Sequence, residues 1–174
     1  MSYLLLKKEE FYIDKISSKD FISLKKILQN ERLMLLGWGK VYNDLEVQQW
    51  INKIKNQYNN YGYSYFMIKN IDSNEVIGLV GLIPTVINEK ECVEIAYVIN
   101  EEFQGNGFAV ASVEILIKHF SDNVKKNTIV AQFVPENINS KKVAENLGMT
   151  FAYEYEREMH NGKKKHLVYN FKVY

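Results

Sequence analysis

The chain has 174 residues, 47% hydrophobic and 25% charged, enough apolar material for one self-sufficient domain that needs neither disulfides nor a structural metal. Its 22 basic and 21 acidic side chains leave a net charge of +1, which excludes a whole-molecule field for steering towards nucleic acid, a membrane or a polycation. A single cysteine, Cys92, excludes an internal disulfide framework, and no uninterrupted apolar run approaches the roughly 20 residues of a spanning helix.

In chain order, the segment Met1 to Glu10 turns charged too early for a signal peptide, so a cytoplasmic protein is expected. Phe11 to Ile16 reads as a first strand. Ser17-Ser18-Lys19-Asp20 offers N-cap chemistry, and Phe21, Leu24, Ile27 and Leu28 recur at helical spacing. A turn is expected around Gly37-Trp38-Gly39. Asn43 or Asp44 then caps a second helix with Val47, Trp50, Ile51, Ile54 and Tyr58 on its buried stripe. Tyr63 to Lys69 and Val76 to Ile83 are strand-like runs joined by the polar turn Asp72-Ser73-Asn74-Glu75, and Glu91 to Ile99 is a third run.

The pattern continues with a helix over Phe108 to Phe120, a strand over Thr128 to Val134, and a short helix over Ser140 to Leu147 ended by Gly148. Met149 to Glu158 and Lys164 to Val173 close the chain as a hairpin across Asn161-Gly162, a favoured turn pair. The order β-α-α-β-β-β-α-β-α-β-β implies an α/β (α+β) domain. Its mixed sheet has helices on both faces and one parallel β-α-β unit near the middle.

The informative run is Gln104-Gly105-Asn106-Gly107-Phe108-Ala109, between a strand and a helix. Two glycines allow a sharp turn and close approach of a ligand to the backbone. Unpaired N–H groups at the helix start, with the positive end of its dipole, make a site suited to a pyrophosphate. The run lacks the third glycine of the dinucleotide fingerprint and the Gly-Lys-Ser/Thr of a P-loop. By itself it is also consistent with a tight connection that binds nothing.

This run resembles Gln/Arg-x-x-Gly-x-Gly/Ala, the pyrophosphate-binding turn of the GNAT superfamily of N-acetyltransferases. Glu94-Ile95-Ala96-Tyr97-Val98-Ile99 resembles the Glu-Ile-Gly-Tyr strand of the same family. Pro135 to Ser140, followed by Ala144 to Met149, resembles its Asn-x-x-Ser…Leu-Gly-Phe element. Glu10-Phe11-Tyr12-Ile13 and Ile77 to Leu82 look like the subgroup of ribosomal-protein-alanine and -serine N-terminal acetyltransferases. The likeness covers nearly the whole chain as a single acetyltransferase domain, residues 1–174.

What the resemblance implies is a largely antiparallel seven-stranded sheet whose fourth and fifth strands splay apart, with acetyl-CoA as co-substrate and no metal. Carried over, Val98 and Ile99 offer main-chain groups to pantetheine and the acetyl carbonyl. Gln104, Gly105, Asn106, Gly107, Phe108 and Ala109 surround the pyrophosphate, and Asn137 hydrogen-bonds the coenzyme from the far side. Glu94, matching the family's strand-four glutamate, is the candidate base, acting through a water; the alternative is a glutamate on a solvent-facing strand position. Many relatives protonate the leaving thiolate with a tyrosine, but Ala144 stands at the matching position. Ser140 is the nearest hydroxyl and the candidate acid, with helix capping as its other reading.

The remaining candidates carry less. Cys92 sits in a strand-like run and reads as a small buried hydrophobe. His119 lies on an apolar helical stripe and is expected to be packed or capping. His160 and His166 flank the lysine run Lys163-Lys164-Lys165, expected as a solvated hairpin tip, and with one distant cysteine they make no metal site. Trp38, Trp50, Tyr61, Tyr63 and Tyr65 fall in segments that wall the acceptor side in relatives. The acceptor is expected to be the N-terminal α-amine of a (ribosomal) protein or peptide. A small amine such as an antibiotic, polyamine or amino acid derivative is the alternative, and a non-catalytic acyl-CoA sensor a third. No nucleic acid or membrane partner is expected, and the chain is expected as a monomer or homodimer.

Overall fold

The computed structural model describes residues 6–7 and 10–171, so the expected end of the last strand at Val173 lies outside the described residues. The main strands are β1 (Phe11–Lys15), β2 (Tyr65–Asn70), β3 (Val76–Ile87), β4 (Lys90–Ile99), β5 (Thr128–Phe133), β6 (Met149–Met159) and β7 (Gly162–Phe171). They lie in the order β1-β2-β3-β4-β5-β7-β6, and Leu6–Lys7 adds a two-residue strand beside β1. Neighbours are antiparallel except β4 and β5, which run parallel. The expected seven-stranded mixed sheet is therefore present, with that short eighth strand at its edge.

Among the described residues six α-helices accompany the sheet: α1 (Phe21–Leu28), α2 (Glu31–Trp38), α3 (Asp44–Tyr61), α4 (Phe108–His119), α5 (Ser121–Val124) and α6 (Ile138–Asn146). One core layer joins Leu24, Ile27, Ile51 and Ile54 of α1 and α3 to Met67, Leu79 and Val98 of the sheet. The opposite layer joins Val113 and Leu116 of α4 and Ala144 of α6 to Ile68, Val80, Ile95 and Ala131. Alternation along each strand sends successive side chains to these two layers in turn.

Helix α2 was not expected; the turn predicted around Gly37–Gly39 is only its end. Asn30 caps its start by accepting from the N–H groups of Arg32 and Leu33, and Gly39 closes it in the left-handed region at φ 75°. Its outer face exposes Leu35 and Leu36, which obscures the amphipathic period. Strand β3 likewise runs on to Ile87, where Asn88 and Glu89, both at positive φ, turn it into β4. Close approach fixes Gly78, because a Cβ there would lie 2.2 Å from the Val98 carbonyl oxygen. His119 is exposed rather than packed into the stripe, with its ring edge-on to Phe120 at 4.7 Å.

Candidate active site

The site starts from a break in the sheet. Strands β4 and β5 stay in register only over Cys92–Glu94 against Thr128–Val130. Beyond that step β5 remains on β7, from Val130 against Asn170 to Phe133 against Leu167, while β4 remains on β3 to its end. Residues Ile95–Ile99 of β4 therefore have a partner strand on one side only. The gap opens into a cleft of about 1010 Å³ that runs between the two faces of the sheet.

Which main-chain groups face the gap follows from the ladder. Asn100 donates its N–H to the Ile77 carbonyl at 2.9 Å, so antiparallel alternation turns the main-chain groups of Val98 towards β3. Those of Tyr97 and Ile99 face the gap instead. The expected pair Val98 and Ile99 is thus corrected to Tyr97 and Ile99, and Val98 contributes its side chain to the wall. The Ile99 carbonyl accepts from the Gln104 side chain at 2.9 Å, which ties the end of the strand to the turn that follows.

That turn has the geometry its glycines suggested. Gly105 and Gly107 lie at φ 78° and 79°, and a Cβ at either would meet nothing within 4 Å. Left-handed backbone, not crowding, demands glycine here, and the space beside it is open. The Asn106 side chain donates to the Phe103 and Gln104 carbonyls at 3.1 and 3.2 Å, so it braces the turn rather than lining the cleft. Helix α4 then begins at Phe108 without a side-chain cap. Gln104, Gly105, Gly107, Phe108 and Ala109 all border the cleft. Uncapped N–H groups at a helix start beside open space fit a pyrophosphate, and an open strand edge fits an extended amide arm.

Across the gap, the Asn137 side-chain oxygen accepts the Ser140 N–H at 3.1 Å and caps α6, leaving its NH₂ for other partners. The helix cap is therefore Asn137, not Ser140. The Ser140 hydroxyl has no hydrogen-bond partner among the described residues, while its carbonyl accepts from the Tyr97 hydroxyl at 3.4 Å. Tyr97 spans from β4 to α6, and burial raises its phenol to about 12. Ala144 is fully buried and does not border the cleft.

Glu94 sits at the last paired step of β4, on the face opposite Tyr97, with its side chain 14% exposed. It accepts from Gln132 of β5 at 2.8 Å and from Thr85 of β3 at 3.4 Å, and Arg157 of β6 lies 4.0 Å away. Gln132 in turn accepts from the Tyr155 hydroxyl. Burial pushes the Glu94 carboxyl above its ordinary range, opposed by Arg157, Gln132 and Thr85. Burial, with Glu94 and Tyr42 nearby, also raises the Tyr65 phenol.

Of the aromatic residues expected to wall the acceptor side, Trp38, Trp50 and Tyr65 border the cleft and are joined by Tyr42. Tyr61 and Tyr63 do not; Tyr63 packs against Phe120 in the other layer. His160 borders the cleft, whereas His166 is buried with its Nδ1 3.0 Å from the Lys164 carbonyl. Cys92 is buried, as expected of a small hydrophobe, and Lys163, Lys164 and Lys165 are exposed. No cluster of potential metal ligands occurs among the described residues.

A family described as an acetyltransferase (GNAT) domain matches residues 11–150. The chain belongs to the GNAT acetyltransferase family. An uncharacterised Bacillus subtilis protein, YkkB, is 23% identical over 159 residues, covering 91% of this chain and 90% of that protein. Among solved structures, a putative GNAT-family acetyltransferase from Bordetella pertussis superposes with a TM-score of 0.81 at 17% identity, covering 97% of this chain and 99% of its own. The ribosomal L7/L12 α-N-protein acetyltransferase RimL in complex with coenzyme A gives 0.80 at 17% identity, covering 97% and 98%. At these identities the structures establish a shared fold.

Gln132, Tyr155, Thr85 and Arg157 escaped the reading of the sequence. Two left a trace: Gln132 is a lone polar residue in an otherwise apolar stretch of β5, and Arg157 is one of only two arginines. No helix of the described residues is long and apolar enough to cross a membrane.

Proposed function

We propose that the chain transfers the acetyl group of acetyl-CoA to the α-amine of a protein or peptide N-terminus. The observation that carries this reading is one cleft with a coenzyme-shaped half and a half centred on a buried carboxylate. Main-chain N–H groups from Gly105 to Ala109 take the pyrophosphate, with Asn106 and Gln104 holding the turn. The Tyr97 and Ile99 main chain receives the pantetheine arm, and the Asn137 NH₂ reaches it from the other wall. Glu94, through a water, accepts the proton lost by the amine as its nitrogen bonds the acetyl carbon. The carbon–sulfur bond breaks, and the thiolate takes a proton from Ser140 or from solvent.

A peptide α-amine suits this carboxylate. Its reference pKa of roughly 7.7–8.0 leaves much of it neutral near pH 7.5, whereas a lysine amine at about 10.4 needs a stronger base. The raised Glu94 carboxyl is a better proton acceptor than an ordinary glutamate. The ribosomal L7/L12 α-N-protein acetyltransferase RimL, alike in fold, supports the α-amine reading. The test is thiol release from acetyl-CoA against N-terminal Ala and Ser peptides, polyamines, aminoglycosides and free amino acids. Turnover with the peptides is expected. Turnover confined to a small amine overturns the acceptor, and coenzyme binding without turnover on any amine overturns the transfer.

A further inference from the structure

Resting on that reading, we infer that the acceptor N-terminus carries one amine and a large apolar or aromatic side chain within its first two residues, and that polycationic amines are excluded. The argument begins with the floor of the acceptor half. Tyr65 of β2, Gly81 of β3 and Ala96 of β4 stand in one cross-strand row on the Glu94 face. The Tyr65 ring rests on Gly81, whose absent Cβ would come within 3.0 Å of it. Next in the row, Ala96 offers only a methyl. The Ile83 side chain, 2.9 Å from where a Gly81 Cβ would stand, fills the rest of the space over Gly81, so the cleft opens as a hollow over the small Ala96, directly beside the position of Glu94, one row further along β4.

The wall of that hollow is aromatic. Trp38 lies 5.5 Å from Tyr65, 6.0 Å from Trp50 and 5.9 Å from Tyr42, and Trp50 lies 5.3 Å from Tyr65, all as ring centroids. Rings at these separations touch one another, so they form a continuous surface rather than a cage around a cation. One face of the Tyr42 ring is already covered by the Lys40 ammonium at 4.9 Å. Leu36, half exposed, extends the apolar surface towards the mouth. A flat apolar group laid on this wall sheds water from both surfaces, which stabilises binding in proportion to the area covered.

Charge argues against a second ammonium. Among the described residues the cleft is bordered by only two carboxylates, Glu94 and Glu158. Glu94 lies 4.0 Å from Arg157, and Glu158 pairs with Lys163 at 3.4 Å. Of the cations on the same cleft, Arg32 pairs with Glu101 at 3.4 Å and Arg157 faces Glu94, while Lys53 and Lys142 add positive charge that repels a further ammonium. One amine therefore finds the base, and further amines find cations.

The two tryptophans of the chain, Trp38 and Trp50, both belong to this wall, so their fluorescence reads the hollow directly. The experiment titrates the protein, saturated with coenzyme A, with phenylalaninamide, alaninamide and spermidine. In parallel, acetyl transfer to peptides beginning Phe, Leu, Ala and Ser and to spermidine is followed by thiol release. A saturable emission change with phenylalaninamide is expected, with affinity about tenfold or more above that of alaninamide, and a matching order of kcat/KM. Spermidine is expected to give neither signal. Trp38→Ala is expected to erase the preference for the larger side chain, and Tyr42→Ala to weaken it if the first variant misfolds. Equal affinity for alaninamide and phenylalaninamide, or saturable binding of spermidine, overturns the inference. Transfer to Ala or Ser peptides without the apolar preference overturns it while leaving the proposed function standing. Probe binding without transfer to any amine overturns the proposed function and with it this inference, which rests on it.

Discussion

The two halves of the cleft are built by different means. On the proposed coenzyme side, the groups offered to the cleft are main-chain amides: the turn from Gln104 to Ala109 and the open edge of β4. On the acceptor side they are side chains delivered by separated segments, Trp38 from α2, Tyr65 from β2, Glu94 from β4, Gln132 from β5 and Arg157 from β6. A main-chain site needs a backbone shape, which a few glycines impose within a short stretch. A side-chain site needs the whole sheet before its members meet. Substitutions on the first side should therefore act through coenzyme affinity, and substitutions on the second through rate and its pH dependence.

The largest effect should come from Glu94→Gln, which removes the proposed proton acceptor. It is expected to lower kcat by about 10²–10⁴-fold with coenzyme affinity unchanged, measured by thiol release and calorimetry. An equal loss of coenzyme affinity would break the division between the halves. Next comes Gly107→Ala. Left-handed backbone at φ 79° costs a residue with a Cβ about 1–2 kcal/mol, so KM for acetyl-CoA should rise about tenfold with kcat nearly kept. A fall in kcat alone would count against a role in coenzyme binding.

The pH profile sharpens the acceptor half. As the proposed base, Glu94 would act in its ionised form, so the rate should be present above its raised pKa and be lost as pH falls through it. Arg157 is the first of the groups holding that carboxyl down, and Arg157→Met should move the acid limb to higher pH. Gln132→Leu should move it the same way by less. An unmoved limb in both would place the titrating base elsewhere. The smallest change should be Ser140→Ala, a few-fold at most, because coenzyme thiolate is a good leaving group and solvent can protonate it. A loss above about 100-fold would make Ser140 the general acid.

The contrast between the halves also explains what the sequence revealed. The turn from Gln104 to Ala109 was readable because each glycine is needed where it stands, and the strand Glu94 to Ile99 because it is contiguous with that turn. Strand alternation alone puts Glu94, Ala96 and Val98 on one face of β4, and that is where they are found. The direction of the Val98 main chain was not readable, since it depends on which neighbour β4 pairs with on each side. Helix α2 was hidden by exposed Leu35 and Leu36 and by Gly37 inside it. Gln132 becomes a partner of Glu94 only once β5 pairs with β4, and Tyr155 reaches Gln132 only once β7 and β6 fold back beside β5.

The short register between β4 and β5 has a consequence for the free protein. Past Glu94 the sheet is unfinished: two half-sheets diverge from three paired steps, and no strand of the described residues fills the space between them. A pantetheine arm in that space would act as a borrowed strand, joining the halves as a zip closes a seam. The amides of Tyr97 and Ile99, facing the gap, should then exchange hydrogen freely in the unliganded protein and slow when coenzyme A is added. Melting should rise with the logarithm of coenzyme concentration, since ligand bound only to the folded chain holds it together by mass action.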